Sequence, residues 1–189
     1  YSYTSDVDRA ARIGETITKR YAANHVFTGY EYFPGGGDYT VPGMKIDASK
    51  ASLMDDDGHV FAQLIGATAE EHPMIMVNAV KVTSIDANHP VSLSKPIITD
   101  WLRKELGFEG VVMTDDIEVG AAVAGMSIED YAIQTINAGS DMVIICKHPK
   151  HIKAVHDALT QAVENGTISE ARLDESVRRI MLMKFSNNQ

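Results

Sequence analysis

Cysteine is nearly absent. The single Cys146 among 189 residues excludes an intrachain disulfide, and its place at the end of the apolar run Met142-Val143-Ile144-Ile145-Cys146 predicts a core position. Basic residues are also few: 17 Lys and Arg against 26 Asp and Glu leave a formal charge of −9, which argues against nucleic acid as a partner, since phosphate binding needs clustered cations. No apolar stretch approaches the roughly 20 residues that span a bilayer, and no charged-then-apolar leader opens the chain. Because the first residue is Tyr1 rather than methionine, an export signal further upstream stays open and no compartment is assigned. What is present, 44% hydrophobic and 23% charged residues, describes an ordinary globular domain and excludes a disordered one.

Periodicity divides the chain into alternating helices and strands. Residues 6–23 repeat apolar side chains at helical spacing, residues 26–32 are rich in β-formers, and Pro34-Gly35-Gly36-Gly37 stops them. The segment 38–57 has weak periodicity and reads as an irregular loop, followed by a helix over 59–69 and a strand over 74–80. Ser94-Lys95-Pro96 predicts a capped helix with Trp101 in its apolar stripe, ending at Gly107. Strands over 110–114 and 141–145 flank a helix over Ile128–Ala138, and helices over Pro149–Glu164 and 169–184 finish the chain. Strands apolar on both faces, alternating with helices, predict an α/β fold with a parallel sheet covered on both sides.

Three motifs then occur in order: Phe33-Pro34-Gly35-Gly36-Gly37-Asp38; Asn88-His89-Pro90 with Ser92-Leu93-Ser94; and Leu106-Gly107-Phe108-Glu109-Gly110-Val111-Val112-Met113-Thr114-Asp115-Asp116. With Ala138-Gly139-Ser140-Asp141-Met142 and the segment Arg172 to Ile180, they resemble glycoside hydrolase family 3, particularly its β-N-acetylhexosaminidase branch, over nearly the whole chain. The resemblance implies a (β/α) barrel of TIM type, of which this chain supplies about the last four strand–helix units. A closed barrel takes about 250 residues. The expectation is therefore a single catalytic-type domain over 1–189 lacking its first half, completed by further residues, a partner chain or self-association.

The resemblance also implies a retaining β-glycosidase acting on carbohydrate, a β-linked glucosaminide or glucoside, with Asp115 as the nucleophile. Asp116 would point away from it. Where the branch writes Lys-His before Phe-Pro-Gly, this chain has Glu31 and Tyr32, which together with Asp38 are the candidate substrate-binding residues. The branch's Asp-Ser-His, which carries its acid/base histidine, falls on Pro42-Gly43-Met44, and a thioether cannot carry a proton. Another family histidine falls on Ala79, and the arginine of the sugar site on Tyr1. These replacements predict impaired or remodelled hydrolysis, with Glu31, Asp38 or a residue outside the chain as the substitute acid/base.

No cofactor or metal is expected. Gly35-Gly36-Gly37 lacks the lysine of a phosphate loop, and Asp55-Asp56-Asp57 before His59 reads as a helix start favouring negative charge. His148, His151 and His156 read as surface or packing residues. Two other classes remain: a noncatalytic carbohydrate-binding or assembly module, and an independent flavodoxin-like α/β domain with helices on both sheet faces.

Overall fold

The computed structural model describes residues 3–35 and 41–186. The first helix, α1 (Val7–Ala22), begins where Asp6 accepts a hydrogen bond from the Arg9 N–H at 2.9 Å. Strand β1 (Gly29–Phe33) follows, then β2 (Lys45–Ile46), α2 (Lys50–Met54), α3 (Asp57–Ala67), β3 (Met74–Val77) and β4 (Lys81–Val82). A π-helix (Pro96–Glu105) leads into β5 (Val112–Asp116), α4 (Ile117–Ala124), α5 (Ile128–Ala138), β6 (Met142–Ile144), α6 (Pro149–Glu164) and α7 (Glu170–Ser186). The π-helix closes with a bond from the Leu106 N–H to the Trp101 carbonyl, five residues back, at 2.9 Å.

Four strands form one parallel sheet in the order β1-β3-β5-β6. Spatial order follows chain order, so there is no reversal of winding and no switch point. That removes the flavodoxin-like alternative, whose sheet needs one. One face carries the core: Ile75, Val77 and Val112 have no exposure and belong with Phe61, Ile65, Ile97, Ile98, Trp101 and Leu102 from the helices, and Thr114, 1% exposed, is buried two residues after Val112 on β5. Trp101 is thus a core residue, packed edge-on against Phe33. The other face differs from expectation. Met76, Met113 and Met142 line up in register across β3, β5 and β6 but stay half-buried, so the apolar second face is not covered to the same depth as the first.

The segment read as an irregular loop contains β2 and α2. Its first part is anchored where β2 pairs with β4 in parallel, Lys45 beside Lys81 and Ile46 beside Val82. A two-residue strand has no period to read, which is why it escaped the pattern. Helix α4 was also unforeseen. It leaves β5 without a loop, and Asp116 serves as its cap. Cys146 is exposed, contrary to the expected core position, because β6 ends at Ile144 and the chain has left the sheet by then.

At the amino end of the sheet, Arg103, Arg172 and Arg179 converge on the carboxylate of Asp141. This joins the π-helix and α7 to the entry of β6. The carboxyl end is thereby left for chemistry.

Candidate active site

Strand β5 alternates. Val112 and Thr114 enter the helix-covered core, so Met113 and Asp115 take the other face, and Asp115 stands at the carboxyl end of a parallel strand where sites of such folds assemble. The Asp115 carboxylate is half-buried and accepts the Asp116 N–H at 2.8 Å. Asp116 lines the same pocket but accepts the Glu118 N–H at 3.0 Å and so satisfies the first turn of α4. The two adjacent acids therefore have separate roles.

Asp115 lines a small open pocket with Pro42, Asn78, Ser92, Gly120 and Tyr131 among its walls. Asn78 and Ser92 are buried, and the Ser92 N–H donates to the Asn78 carbonyl at 3.0 Å, so the turn Val91–Leu93 is held against the end of β3. Tyr131 reaches in from α5, 1% exposed, with its phenol hydrogen-bonded to the Ser92 hydroxyl. Burial pushes that phenol up to about 12; the Ser92 bond opposes the shift and the charge of Asp115 adds to it. A neutral hydroxyl thus stands beside a carboxylate. Nothing in the sequence singled out Tyr131, which sits in an amphipathic helix and reads as packing.

The altered loop does reach this place. Pro42 lines the pocket, the Gly43 N–H donates to the Ala79 carbonyl at 3.0 Å, and the Lys81 N–H donates to the Met44 carbonyl at 2.9 Å. Met44 itself is 37% exposed. Glu31 and Tyr32 lie on β1, the first exposed and the second half-buried. Burial, then the charges of Asp115 and Glu31, raise the Tyr32 phenol above its ordinary range. Strands β1, β3 and β5 run parallel, so Glu31 and Tyr32 near the end of β1 and Asp115 near the end of β5 lie toward the same edge of the sheet. Neither Glu31 nor Tyr32 lines the pocket around Asp115. With β3 between them, the β1 and β5 backbones stand roughly 10 Å apart, so Glu31 approaches Asp115 only if the side chains lean across β3. Asp38 lies outside the described residues.

Gly120 gives the pocket its room. A Cβ there would lie 2.4 Å from the Tyr131 hydroxyl oxygen and 2.5 Å from its Cζ. Gly120→Ala is expected to lose roughly 1–2 kcal/mol, because overpacking a pinned ring outweighs the gain in helix propensity. Gly66→Ala, in α3 with nothing within 4 Å of the added carbon, is expected to gain roughly 0.5–1 kcal/mol. Urea unfolding of both variants checks the pair, and equal effects would remove Tyr131 as the cause.

The profile of the "Glycosyl hydrolase family 3 N terminal domain" matches residues 1–183. The chain belongs to glycosyl hydrolase family 3. This family 3 chain is 30% identical to the β-hexosaminidase of Haemophilus influenzae over 94% of its own length and 52% of that protein. It is 26% identical to β-hexosaminidase A of Pseudoalteromonas piscicida over 97% of its own length and 34% of that protein. Among solved structures, a family 3 β-N-acetylglucosaminidase from Paenibacillus superposes with a TM-score of 0.89 at 28% identity, covering 99% of this chain and 36% of that one. The β-N-acetylglucosaminidase of Thermotoga maritima gives 0.86 at 26% identity, covering 98% and 42%. The family 3 chain is therefore β-hexosaminidase-like with a TIM-barrel-like α/β fold, and it spans about a third to a half of the curated relatives it matches.

Proposed function

We propose that this chain is the nucleophile-bearing half of a retaining β-glycosidase barrel acting on β-linked N-acetylglucosaminides, with β-glucosides as the second substrate class. The observation that carries the reading is Asp115, held half-buried at the carboxyl end of β5 in a family 3 sequence. Its carboxylate attacks the anomeric carbon while the glycosidic oxygen leaves with a proton. A water molecule, deprotonated by the same acid/base, then displaces Asp115 and restores the original configuration.

Among the residues lining the pocket the other carboxylate is Asp116, which caps α4. The proton carrier is thus Glu31, Asp38 or a group outside the chain, with Glu31, Tyr32 and Asp38 meeting sugar hydroxyls from the β1 side. Met44 supplies no proton in the loop position where the branch keeps its histidine, so hydrolysis is reduced and depends steeply on the leaving group. Aryl glycosides whose phenols leave without protonation are turned over far better than alkyl ones. The half-buried methionine row supports completion of the barrel by further residues, a partner chain or a second copy. No helix among the described residues is long and apolar enough to cross a membrane.

The test is hydrolysis of aryl β-N-acetylglucosaminides and β-glucosides with leaving groups of graded acidity, beside the Asp115→Asn variant. Turnover retained in that variant overturns the nucleophile assignment. No turnover, with N-acetylglucosamine binding preserved in calorimetry, replaces the enzyme reading with a noncatalytic carbohydrate module. Solution mass tests the shared barrel, a stable monomer of these residues counting against self-completion.

A further inference from the structure

A second cluster lies on the same rim as Asp115, outside its pocket. Glu118 belongs to the first turn of α4, His148 immediately precedes α6, and His151 sits in the first turn of α6. The Nδ1 atoms of both histidines lie 2.6 Å from the same Glu118 oxygen, Oε1. The other oxygen, Oε2, accepts the Lys147 N–H at 2.6 Å, which fixes the carboxylate plane. The Glu118 side chain is only 6% exposed, whereas His151 is 29% and His148 57% exposed. A nearly buried carboxylate, oriented by a backbone donor and facing two imidazoles open to solvent, is an arrangement that surface histidines have no need to make.

We propose that Glu118, His148 and His151 bind a zinc ion, with water in the fourth position. Their donor atoms all lie within 4.8 Å of one another. Around tetrahedral zinc, donors at about 2.0–2.2 Å from the metal stand roughly 3.4 Å apart. The present 2.6 Å contacts must therefore open by under about 1 Å, and the exposed His148 has space to move. Two hydrogen bonds are exchanged for three coordination bonds, each neutral imidazole ligating through Nδ1 and carrying its one ring proton on Nε2. Two imidazoles with one carboxylate suit zinc and its neighbours in the first transition row; calcium and magnesium prefer all-oxygen sites. The Lys147 amide then plays the part of the outer partner that orients a ligating carboxylate.

The site has a structural consequence. It clamps the turn after β6 to the start of α4, three residues beyond Asp115, and so stiffens the rim on which the carboxylate stands. Zinc here is independent of the glycosidase reading. It neither attacks nor protonates substrate.

Calorimetric titration of chelator-stripped protein with zinc chloride at neutral pH is expected to give one ion per chain and a raised Tm. Glu118→Gln and the paired variant His148→Ala, His151→Ala should each weaken binding roughly tenfold or more, with circular dichroism confirming that they fold. Should Glu118→Gln fail to fold, the paired histidine variant carries the test. Affinity should also fall in acid, since protons compete with zinc for the imidazole nitrogens. Absence of saturable zinc binding, or zinc binding unchanged in the paired variant, overturns the proposal whatever the hydrolysis assays return.

Discussion

Asp141→Asn is expected to cost about 3–5 kcal/mol of folding stability, because the buried carboxylate is the shared counter-ion of three guanidinium groups. The Asp141 side chain has no solvent exposure. Its Oδ2 accepts from Arg103 at 2.5 Å and from the Val112 N–H at 3.0 Å. Its Oδ1 accepts from the Ser176 hydroxyl at 2.7 Å, from Arg179 at 3.1 Å and from Arg172 at 3.3 Å. Burial has already lowered Arg103 to about 10 despite the opposing pull of Asp141. Asparagine keeps the shape but removes the charge, leaving three cations close together with only the exposed Glu175, 3.7 Å from Arg172 and from Arg179, as a remaining counter-ion. Arg103 and Arg172 also donate to carbonyls of Gly110, Gly139, Ile136 and Ser140, so they cannot swing out without breaking those bonds.

For a chain of this length the expected loss lowers Tm by roughly 6–20 °C. Breaking the exposed pair Lys153–Asp157, whose side chains are 82% and 56% exposed, should change stability by less than about 0.5 kcal/mol. Calorimetric melting of the two variants checks the contrast. An Asp141→Asn protein melting within a degree or two of its parent, by roughly the same scale, would mean that the arginines find other partners.

This hub also marks a limit of reading the sequence. Asp141 and its arginines are separated by 31 to 38 residues, and a lone arginine on a helix is indistinguishable from a solvated one until the fold brings the charges together. The motifs carrying Asp141 and Arg172 to Ile180 were legible as family pattern, but their physical meaning was not. Strand β5 was legible because short apolar runs ending in paired acids have few alternatives at a parallel strand's end. The cap role of Asp116 depends on α4 starting without a loop, which the uniformly small and apolar residues 119–124, with no polar face to set a helical period, did not signal. The grouping of His148 and His151 with Glu118 was not legible for another reason: the two histidines share a turn, but Glu118 comes from a different strand–helix unit, 30 or more residues away.

Asp115→Asn is expected to lower turnover at least about a thousandfold, a barrier increase of roughly 4 kcal/mol. An amide cannot form the glycosyl ester through which a retaining enzyme passes, yet it matches the carboxylate in shape and can still accept the Asp116 N–H. The loss should therefore fall on kcat, with KM little altered, and Tm should move by no more than about 0.5 kcal/mol of stability implies. A reading independent of turnover comes from the phenols. The negative charge of Asp115 contributes to the upward shifts of both Tyr131 and Tyr32, so removing it should move those two titrations downward, towards the ordinary tyrosine range. Burial is the larger cause for both and persists in the variant, so each remains raised. Ultraviolet titration of the phenols, compared between parent and variant, measures this. Lost turnover with unchanged phenol titrations would separate Asp115 from Tyr131 and Tyr32 and place its effect on catalysis elsewhere; lower phenol titrations with retained turnover would keep the geometry and remove the nucleophile.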